Sequence, residues 1–395
     1  MQKIAIVTLF LNNNNYGGTL QAYALCAFLK KNNINAEQIS YNFRQSKKIT
    51  VSNIRFRFLK RVLHKCLSLL WRLKNILFPD KAHKICALCK KEFQQREENY
   101  INFRKNFVPH SQRIYSETTL PACVDDYDAF IVGSDQVWNF NWSSLPFFLN
   151  FVPSTKIKLS YAASIGKDDL TDGEKNIFRK YLADFTAISV REKSTQEILS
   201  KELGRNVAWT VDPTLLLDKE DWDEICSDKK YDFPYLFCYF LGSDNDQRLL
   251  AEKYAKQHGL KIVSIPHATG TSLWSVCLND VDFGDYQECD ASPEDFLALI
   301  RNADMVFTDS FHACVFSCIF QRQFFAFQRL EYGGMSSRIY SLLEMFGLSE
   351  RFCDSEKKRT MEYIELQKKA EYSEIPQKFK ERRELSERFL AENLR

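Results

Sequence analysis

The chain has 395 residues, of which 45% are hydrophobic and 27% are charged. This composition excludes a disordered chain, a collagen-like fibre and a coiled-coil rod. No run of about 18 uninterrupted apolar residues occurs, which excludes a polytopic membrane protein. The length predicts two or three domains and leaves ample material for a large core.

The formal net charge is only +3, but it is unevenly distributed. Residues 44–79 contain ten Lys and Arg and no Asp or Glu, so one short segment holds the excess positive charge. The apolar start of the chain has no small-residue cleavage site and predicts a first β-strand rather than a secretory signal. We therefore expect a cytoplasmic protein whose 12 Cys are reduced and mostly buried.

The first half begins with a βαβ pattern. Residues 3–11 predict a buried strand, residues 19–31 a helix and residues 35–42 a second strand, which is typical of an open α/β sheet. Residues 44–115 break this rhythm, because they are basic, helical in pattern and poor in Gly and Pro. They predict a helical insertion. The strand pattern then returns at residues 127–133, 158–164, 185–191 and 206–212.

A second α/β unit begins near residue 231. Its predicted strands are 235–241, 260–265 and 303–309, and its predicted helices are 246–258, 292–302 and one that begins at 312. Ser292 followed by Pro293 is a typical helix start. We therefore predict an α/β protein with two Rossmann-like domains facing a cleft, at residues 1–220 and 221–335, and a helical C-terminal segment at 336–395.

Two polar segments follow predicted strands of the first half. The loop at residues 12–18 precedes a helix start, which favours an anion or a sugar hydroxyl, although a flexible surface turn is the alternative. In the segment at residues 133–139, Ser134, Asp135 and Asn139 are expected at the edge of the sheet. Trp138 is suited to stacking on a sugar face, or else is buried behind a capped turn.

Charged and titratable residues follow three further strands. Arg191 is suited to clamping a carboxylate or phosphate, or to an ion pair with an acidic residue. Asp212 is expected to cap a turn at the inter-domain crossing. Ser310 and His312 begin a helix, and His is the side chain best suited to proton exchange near neutral pH. Arg338 either faces the cleft or forms an external ion pair.

The basic stretch at residues 54–78 interleaves apolar and cationic residues. It is typical of an amphipathic helix on an anionic membrane surface, and a helix packed on the domain is the alternative. Nucleic acid is not expected as a partner, because nothing else in the chain supports it. His83, Cys86 and Cys89 lack a second CxxC pair, so no metal site is predicted.

Seven short segments stand in a distinctive order along the chain: NNYGGTLQAYAL, YDAFIVGSDQVWN, YAASIG, ISVREKS, VDPTLLL, SPEDFLALIRNADMVFTDSFHACVFSCIF and SSRIYSLLEMFGL. Together they resemble the polysaccharide pyruvyl transferase family over residues 1–350, with residues 44–115 matching least. The resemblance implies a GT-B-like fold. It also implies transfer of the pyruvyl group of phosphoenolpyruvate to two hydroxyls of a sugar, with formation of a ketal and release of phosphate.

The resemblance also implies roles for single residues. Arg191 would clamp the donor, and His312 would bind it or donate the proton. The donor site would further include Ser310, Phe311, Ala313 and Arg338. The acceptor side would be formed by Asn14, Tyr16, Gly17, Gly18, Gln21, Ser134, Asp135, Trp138 and Asn139.

No cofactor is implied beyond phosphoenolpyruvate as co-substrate. The acceptor would be a lipid-linked or nucleotide-linked sugar of a polysaccharide or its precursor. The basic stretch would then attach the protein to the inner face of the cytoplasmic membrane, where lipid-linked precursors lie.

Two positions depart from the family pattern. Many members carry Arg where this chain has Ser310, and often Gly where it has Ala313. The missing cation weakens the donor site unless Arg338 or Arg301 replaces it.

Two alternative functions therefore stay open. A GT-B glycosyltransferase would use an acidic residue such as Glu331 or Glu344 to hold the ribose of a nucleotide sugar. A non-catalytic glycan-binding protein is the second alternative, supported only by the missing Arg.

Overall fold

The computed structural model describes residues 2–49, 90–267, 280, 282–329, 337–372 and 376–394. The predicted membrane-binding stretch at residues 54–78 lies outside the described residues, as do His83, Cys86, Cys89 and Glu331.

The first half folds around one parallel sheet. Its strands are β1 (Lys3–Val7), β2 (Asn35–Gln38), β3 (Ala129–Val132), β4 (Ile157–Ala163), β5 (Ala187–Val190) and β6 (Ala208–Trp209). They lie in the order β2-β1-β3-β4-β5-β6, with every pair parallel. The central strand β3 is buried along its whole length, as its unbroken apolar sequence predicts.

The second half repeats this arrangement. Its strands are β7 (Tyr235–Tyr239), β8 (Lys261–Ser264), β9 (Tyr286–Gln287), β10 (Met305–Thr308), β11 (Phe324–Phe327) and β12 (Phe352–Cys353). They form a second parallel sheet in the order β12-β11-β10-β7-β8-β9. The two sheets confirm the predicted α/β class with two Rossmann-like halves, and the proposed border near residue 220 falls between them.

The described α-helices are α1 (Tyr16–Lys31), α2 (Lys90–Phe107), α3 (Asp172–Tyr181), α4 (Lys193–Leu203), α5 (Lys219–Asp223), α6 (Asp246–His258), α7 (Pro293–Arg301), α8 (Phe311–Ile319), α9 (Ser337–Phe346), α10 (Met361–Leu366) and α11 (Gln377–Asn393). The predicted helix start at Ser292 is confirmed, since its side chain accepts from Asp295 N at 3.0 Å and forms a capping box.

Two helices connect the halves. Arg96 of α2, in the predicted insertion, donates to the carbonyls of Pro266 and Glu288 in the second half, at 2.9 and 3.0 Å. Ser386 of α11 accepts a 2.9 Å hydrogen bond from Val211 N of the first half. These buried contacts fix the cleft between the two sheets.

Several predicted segments differ from those in the structure. The segment at residues 336–395 is not wholly helical, because β12 adds a short parallel strand to the second sheet. The strand predicted at residues 206–212 is limited to Ala208–Trp209, because the chain turns into a 3-10 helix at Pro213. Within the described residues, no helix is both long enough and apolar enough to cross a membrane.

Candidate functional site

A cavity of about 320 Å³ lies in the cleft between the two halves. The first half contributes loops that follow its strands, with the lining residues Leu9, Asn13, Asn15, Phe43, Asp135, Gln136 and Trp142. The second half contributes Leu241, His267, Ser310, Phe311, His312, Arg329 and Arg338. Ligands of open α/β sheets bind at the carboxyl ends of the strands, which is where these loops stand.

His312 lies in the first turn of α8, immediately after β10. Ser310 is the N-cap residue of this helix, and its hydroxyl accepts from Ala313 N at 3.5 Å. The His312 side chain is only 8% exposed, and its Nε2 atom lies 3.6 Å from Oδ2 of Asp212. The histidine is therefore held at a helix start, next to a carboxylate from the other half of the chain.

Gly17 is the close neighbour of this histidine. A Cβ atom built on Gly17 would lie 1.8 Å from Nδ1 of His312. Any other residue at position 17 would displace the imidazole, so this glycine allows α1 and α8 to approach each other. The family resemblance implies an acceptor-side role for Gly17, whereas the structure places it against His312.

Asp212 is a functional candidate that the sequence analysis treated only as a cap. The cap is confirmed, since Oδ1 accepts from Thr214 N at 3.1 Å and from Thr214 Oγ1 at 2.7 Å. Its other oxygen accepts from Nη1 of Arg191 at 2.6 Å. Burial by itself raises the pKa of Asp212, but the neighbouring His312 and Arg191 more than offset this effect and hold the pKa well below its usual value.

Arg191 does not line the cavity. Its guanidinium is bonded to Asp212, lies 3.5 Å from Oδ1 of Asp135 and stacks 4.5 Å from the ring centre of Phe311. The structure gives Arg191 the alternative role, an ion pair with acidic residues elsewhere in the chain, which fixes Asp135 and Asp212 at the cleft. The donor clamp stays a prediction.

Arg338 is the buried cation that does line the cavity. It is 4% exposed. When the amide oxygen of Gln136 faces the guanidinium, this oxygen accepts hydrogen bonds from Nη1 at 2.8 Å and from Nη2 at 3.2 Å. Burial, together with the neighbouring cations Arg191 and Arg329, lowers the pKa of Arg338 to about 9. A buried guanidinium beside like charges favours the binding of an anion.

Arg329 and His267 are cavity residues that sequence reasoning missed. Arg329 follows β11, and its Nε lies 4.0 Å from Oδ1 of Asp309. His267 follows β8, and burial, with Arg329 among the contributing charges, lowers its pKa to about 4, so its imidazole is neutral near pH 7. The signal available in the sequence was their position just after a strand of the second sheet.

Two of the predicted acceptor residues are buried in the core and do not line the cavity. Trp138 is fully buried, donates to Phe147 O at 2.8 Å and stacks on Phe148, so its predicted role as a sugar platform is wrong. Gln21 is also fully buried and bridges Thr8 and the Gly18 carbonyl.

Other predicted residues connect segments of the fold. Tyr16 donates to Ala291 O at 2.8 Å and stacks on Phe296, which joins the two halves. Ser134 is fully buried and donates to Ala162 O at 2.8 Å. Ala313 is buried as well, and its N–H is directed at Ser310.

Of the remaining acceptor candidates, one lines the cavity and the others lie next to it. Asp135 lines the cavity. Asn139 is buried beside it and accepts from Asn141 N at 3.1 Å. Asn14 is partly exposed between two lining residues. Gly18 donates to Asn15 Oδ1 at 3.0 Å and so belongs to the start of α1.

Two residues proposed to serve the cleft lie elsewhere. Arg301 bonds to Asp223 and to the Ser227 carbonyl, so it cannot replace the cation missing at Ser310. Glu344 is 47% exposed and lies 3.9 Å from Lys193 and from Lys378, outside the cavity. Within the described ranges, no group of three or more His, Cys, Asp and Glu is arranged to hold a metal ion.

Similarity to solved structures shows the class of fold. UDP-GlcNAc 2-epimerase from Methanocaldococcus jannaschii gives a TM-score of 0.53 at 12% identity, over 98% of this chain and 99% of that chain. Its complex with UDP-GlcNAc and UDP gives 0.51 at 13% identity, over 98% of each chain. S. aureus MnaA, in a co-structure with UDP, gives 0.51 at 11% identity, over 93% of this chain and 88% of that chain. The fold is therefore GT-B-like.

The family model of polysaccharide pyruvyl transferase matches residues 15–329. The chain belongs to this family and is a transferase. No curated protein matches the chain. The matched range contains the whole cavity wall except Leu9, Asn13 and Arg338.

Proposed function

We propose that this protein transfers the pyruvyl group of phosphoenolpyruvate to two hydroxyls of a sugar in a polysaccharide or its precursor. One observation carries the proposal: a buried histidine paired with a carboxylate shares a cavity with two arginines, Arg329 and Arg338. Phosphoenolpyruvate bears a phosphate and a carboxylate, so its site needs cations next to a proton donor.

The donor is proposed to bind along the second-half wall. Arg338 and Arg329 would pair with its anionic groups. The first N–H groups of α8, on Phe311 and His312, have no partner within the helix. A helix start that presents free N–H groups is suited to phosphate. The hydroxyl of Ser310 caps the same turn.

In this proposal His312 donates the proton. Protonation of the methylene carbon builds positive charge on the adjacent carbon, to which one sugar hydroxyl adds. Loss of phosphate then allows the second hydroxyl to close the ketal. Two hydroxyl protons leave the sugar in total. The products gain one proton at the methyl group and one at the phosphate, so the protons balance. Asp212, ionised because of its low pKa, would orient the imidazole and offset its charge.

Calorimetric titration with phosphoenolpyruvate, beside UDP-sugars and GDP-sugars, tests the donor assignment. We expect saturable phosphoenolpyruvate binding in the wild type, loss of binding in Arg338→Gln, and normal binding in the matched control Arg301→Gln. Arg301 belongs to the same half of the chain but is bonded away from the cavity. Binding of a nucleotide sugar alone would reassign the protein to the glycosyltransferases.

His312→Ala tests catalysis apart from binding. We expect this variant to abolish phosphate release from phosphoenolpyruvate in the presence of an accepting glycan. A cellular glycan that is unchanged in this variant would favour a non-catalytic glycan-binding protein instead.

Attachment to an anionic membrane through residues 54–78 is part of the proposal and would place the protein on the inner face of the cytoplasmic membrane. The alternating cationic and apolar residues of this stretch support it. Replacing Arg55, Arg57, Lys60 and Arg61 with Glu should abolish sedimentation with phosphatidylglycerol vesicles. Unchanged sedimentation would contradict the attachment.

A further inference from the structure

The two walls of the cavity differ in chemistry. The second-half wall carries His267, His312, Arg329 and Arg338. The first-half wall carries no Lys, Arg or His among the described lining residues and instead presents apolar and aromatic side chains, with amides and one carboxylate. An anionic donor is suited to the second-half wall. An uncharged ligand with apolar and hydroxyl groups is suited to the first-half wall.

Trp142 is the largest side chain on the first-half wall. Its indole Nε1 donates to Gln136 O at 3.1 Å, and its backbone N donates to Asn139 O at 3.0 Å. The ring is therefore fixed in place and its N–H is already used. Since Trp142 is only partly buried, it offers carbon surface rather than a hydrogen bond to the cavity.

Phe43 extends the same wall from a different part of the chain. Its backbone N donates to Tyr41 O at 3.1 Å, and its ring centre lies 6.1 Å from that of Phe147 in the core. The ring is partly buried and lines the cavity. Two aromatic rings from separate segments thus stand at one ligand-sized cavity, each held by the core behind it.

Polar groups on this wall complement the rings. Asn13 is held by a 2.6 Å hydrogen bond from Nδ2 to Leu9 O, and Asp135 is held near Arg191. Amide and carboxylate oxygens accept hydrogen bonds from hydroxyl groups. A sugar ring has both an apolar C–H face and a rim of hydroxyls, and this combination matches it.

We propose that Trp142 and Phe43 form the platform for the acceptor sugar. The C–H face of a pyranose ring packs on Trp142, and its hydroxyls bond to Asn13 and Asp135. Trp142 thus takes the role that the sequence analysis gave to Trp138. This inference rests on the proposed function, because it assigns the acceptor to the cavity that also holds the donor.

Calorimetry with three simple glycosides tests the platform in the full-length protein with phosphoenolpyruvate present. The probes are methyl β-galactoside, methyl β-glucoside and methyl β-N-acetylglucosaminide. For a glycoside that the wild type binds, we expect Trp142→Ala to weaken binding about fivefold, because stacking on an aromatic ring contributes on the order of 1 kcal/mol. Trp142→Phe should stay close to the wild type, since it retains a ring.

Two further variants and a second readout distinguish loss of the platform from misfolding of the protein. Phe43→Leu removes the second ring while keeping apolar bulk, and should also weaken glycoside binding. Tyr286→Ala removes a 40% exposed ring on β9, outside the cavity, and should leave binding unchanged. Phosphoenolpyruvate binding, measured without glycoside, should be normal in all of these variants.

The outcomes separate this inference from the proposed function. Equal glycoside affinity in Trp142→Ala, Phe43→Leu and the wild type would overturn the platform, and so would the failure of the wild type to bind any of the three glycosides. Glycoside binding that depends on Trp142, together with no phosphoenolpyruvate binding, would support the platform and overturn the donor assignment.

Discussion

The Nε2 atom of His312 and the Oδ2 atom of Asp212 lie 3.6 Å apart, although the two residues follow strands of different sheets. Asp212 follows β6 of the first sheet, and His312 follows β10 of the second. The pair therefore forms only when the two halves are correctly placed. This arrangement couples the geometry of the cleft to the group that we propose as the proton donor.

Replacing Asp212 with Asn should impair both catalysis and stability. Turnover should fall about 100-fold, because the imidazole loses the carboxylate that orients it. The buried guanidinium of Arg191 loses its 2.6 Å partner, so the free energy of unfolding should fall by about 3 kcal/mol. Phosphate release and urea unfolding measure the two effects.

Asp218→Asn provides the control for Asp212→Asn. Asp218 also pairs with an arginine, Arg383, at 2.6 Å, but its side chain is 57% exposed. Exposed pairs contribute little, so this variant should behave like the wild type. Normal turnover in Asp212→Asn would show that the carboxylate has no part in the reaction.

Gly17→Ala should reduce turnover through His312. The added methyl group would lie 1.8 Å from Nδ1, so the imidazole must move, and overpacking of this kind costs about 1–3 kcal/mol. A double-mutant cycle with His312→Ala tests whether the added methyl group acts through its contact with His312. In the His312→Ala background, Gly17→Ala should have almost no further effect on stability. An equal loss of stability in both backgrounds would mean that the methyl group acts on another neighbour.

The strands and the helix starts were largely predictable because they depend on local sequence. Apolar runs such as β3 and β10 are buried along their whole length, and Ser292 with Pro293 begins a helix as its local chemistry requires. The strands β9, β11 and β12 were missed. For β9 and β12 the reason is length, because two residues cannot establish a period.

The site was predictable only in part, because its contacts are long-range. The sequence placed His312 after a predicted strand and left Arg338 either at the cleft or in an external ion pair, but it gave no sign that Asp212, a hundred positions earlier, lies next to His312. Trp138 and Trp142 stand four residues apart in the same loop, and nothing in their pattern tells which ring faces the core. Only the packing of Trp138 on Phe148 decides this.

Glu192 should make stability depend on pH. Its carboxyl is fully buried, and burial raises its pKa above the usual value of 4.5, although Arg191 and a hydrogen bond from Ser164 partly offset this. The folded protein then keeps a proton that the unfolded chain loses. The resulting stabilisation is complete below pH 4.5 and is lost as the pH rises through the raised pKa.

Glu192→Gln removes this titration while keeping the shape of the side chain. Urea unfolding between pH 4.5 and pH 8 should show the wild type losing unfolding free energy relative to this variant as the pH rises. Glu202→Gln is the control, because Glu202 pairs with Lys175 and Arg179 on the surface and its pKa is lowered. Parallel pH curves for the wild type and Glu192→Gln would contradict the prediction.

Arg329 should supply the cation that this chain lacks at position 310. Ser310 and Arg329 line the same cavity at the ends of the neighbouring parallel strands β10 and β11. Arg329→Ser should therefore weaken phosphoenolpyruvate binding at least tenfold, since a charge-assisted hydrogen bond contributes about 1.5–3 kcal/mol. Adding Ser310→Arg to this variant should restore much of the lost affinity, because a guanidinium returns to the cavity. Ser310→Ala in the Arg329→Ser background is the control, as it removes the same cap without adding charge. If the arginine at 310 restores no more affinity than the alanine, then Arg329 and position 310 do not bind the same part of the donor.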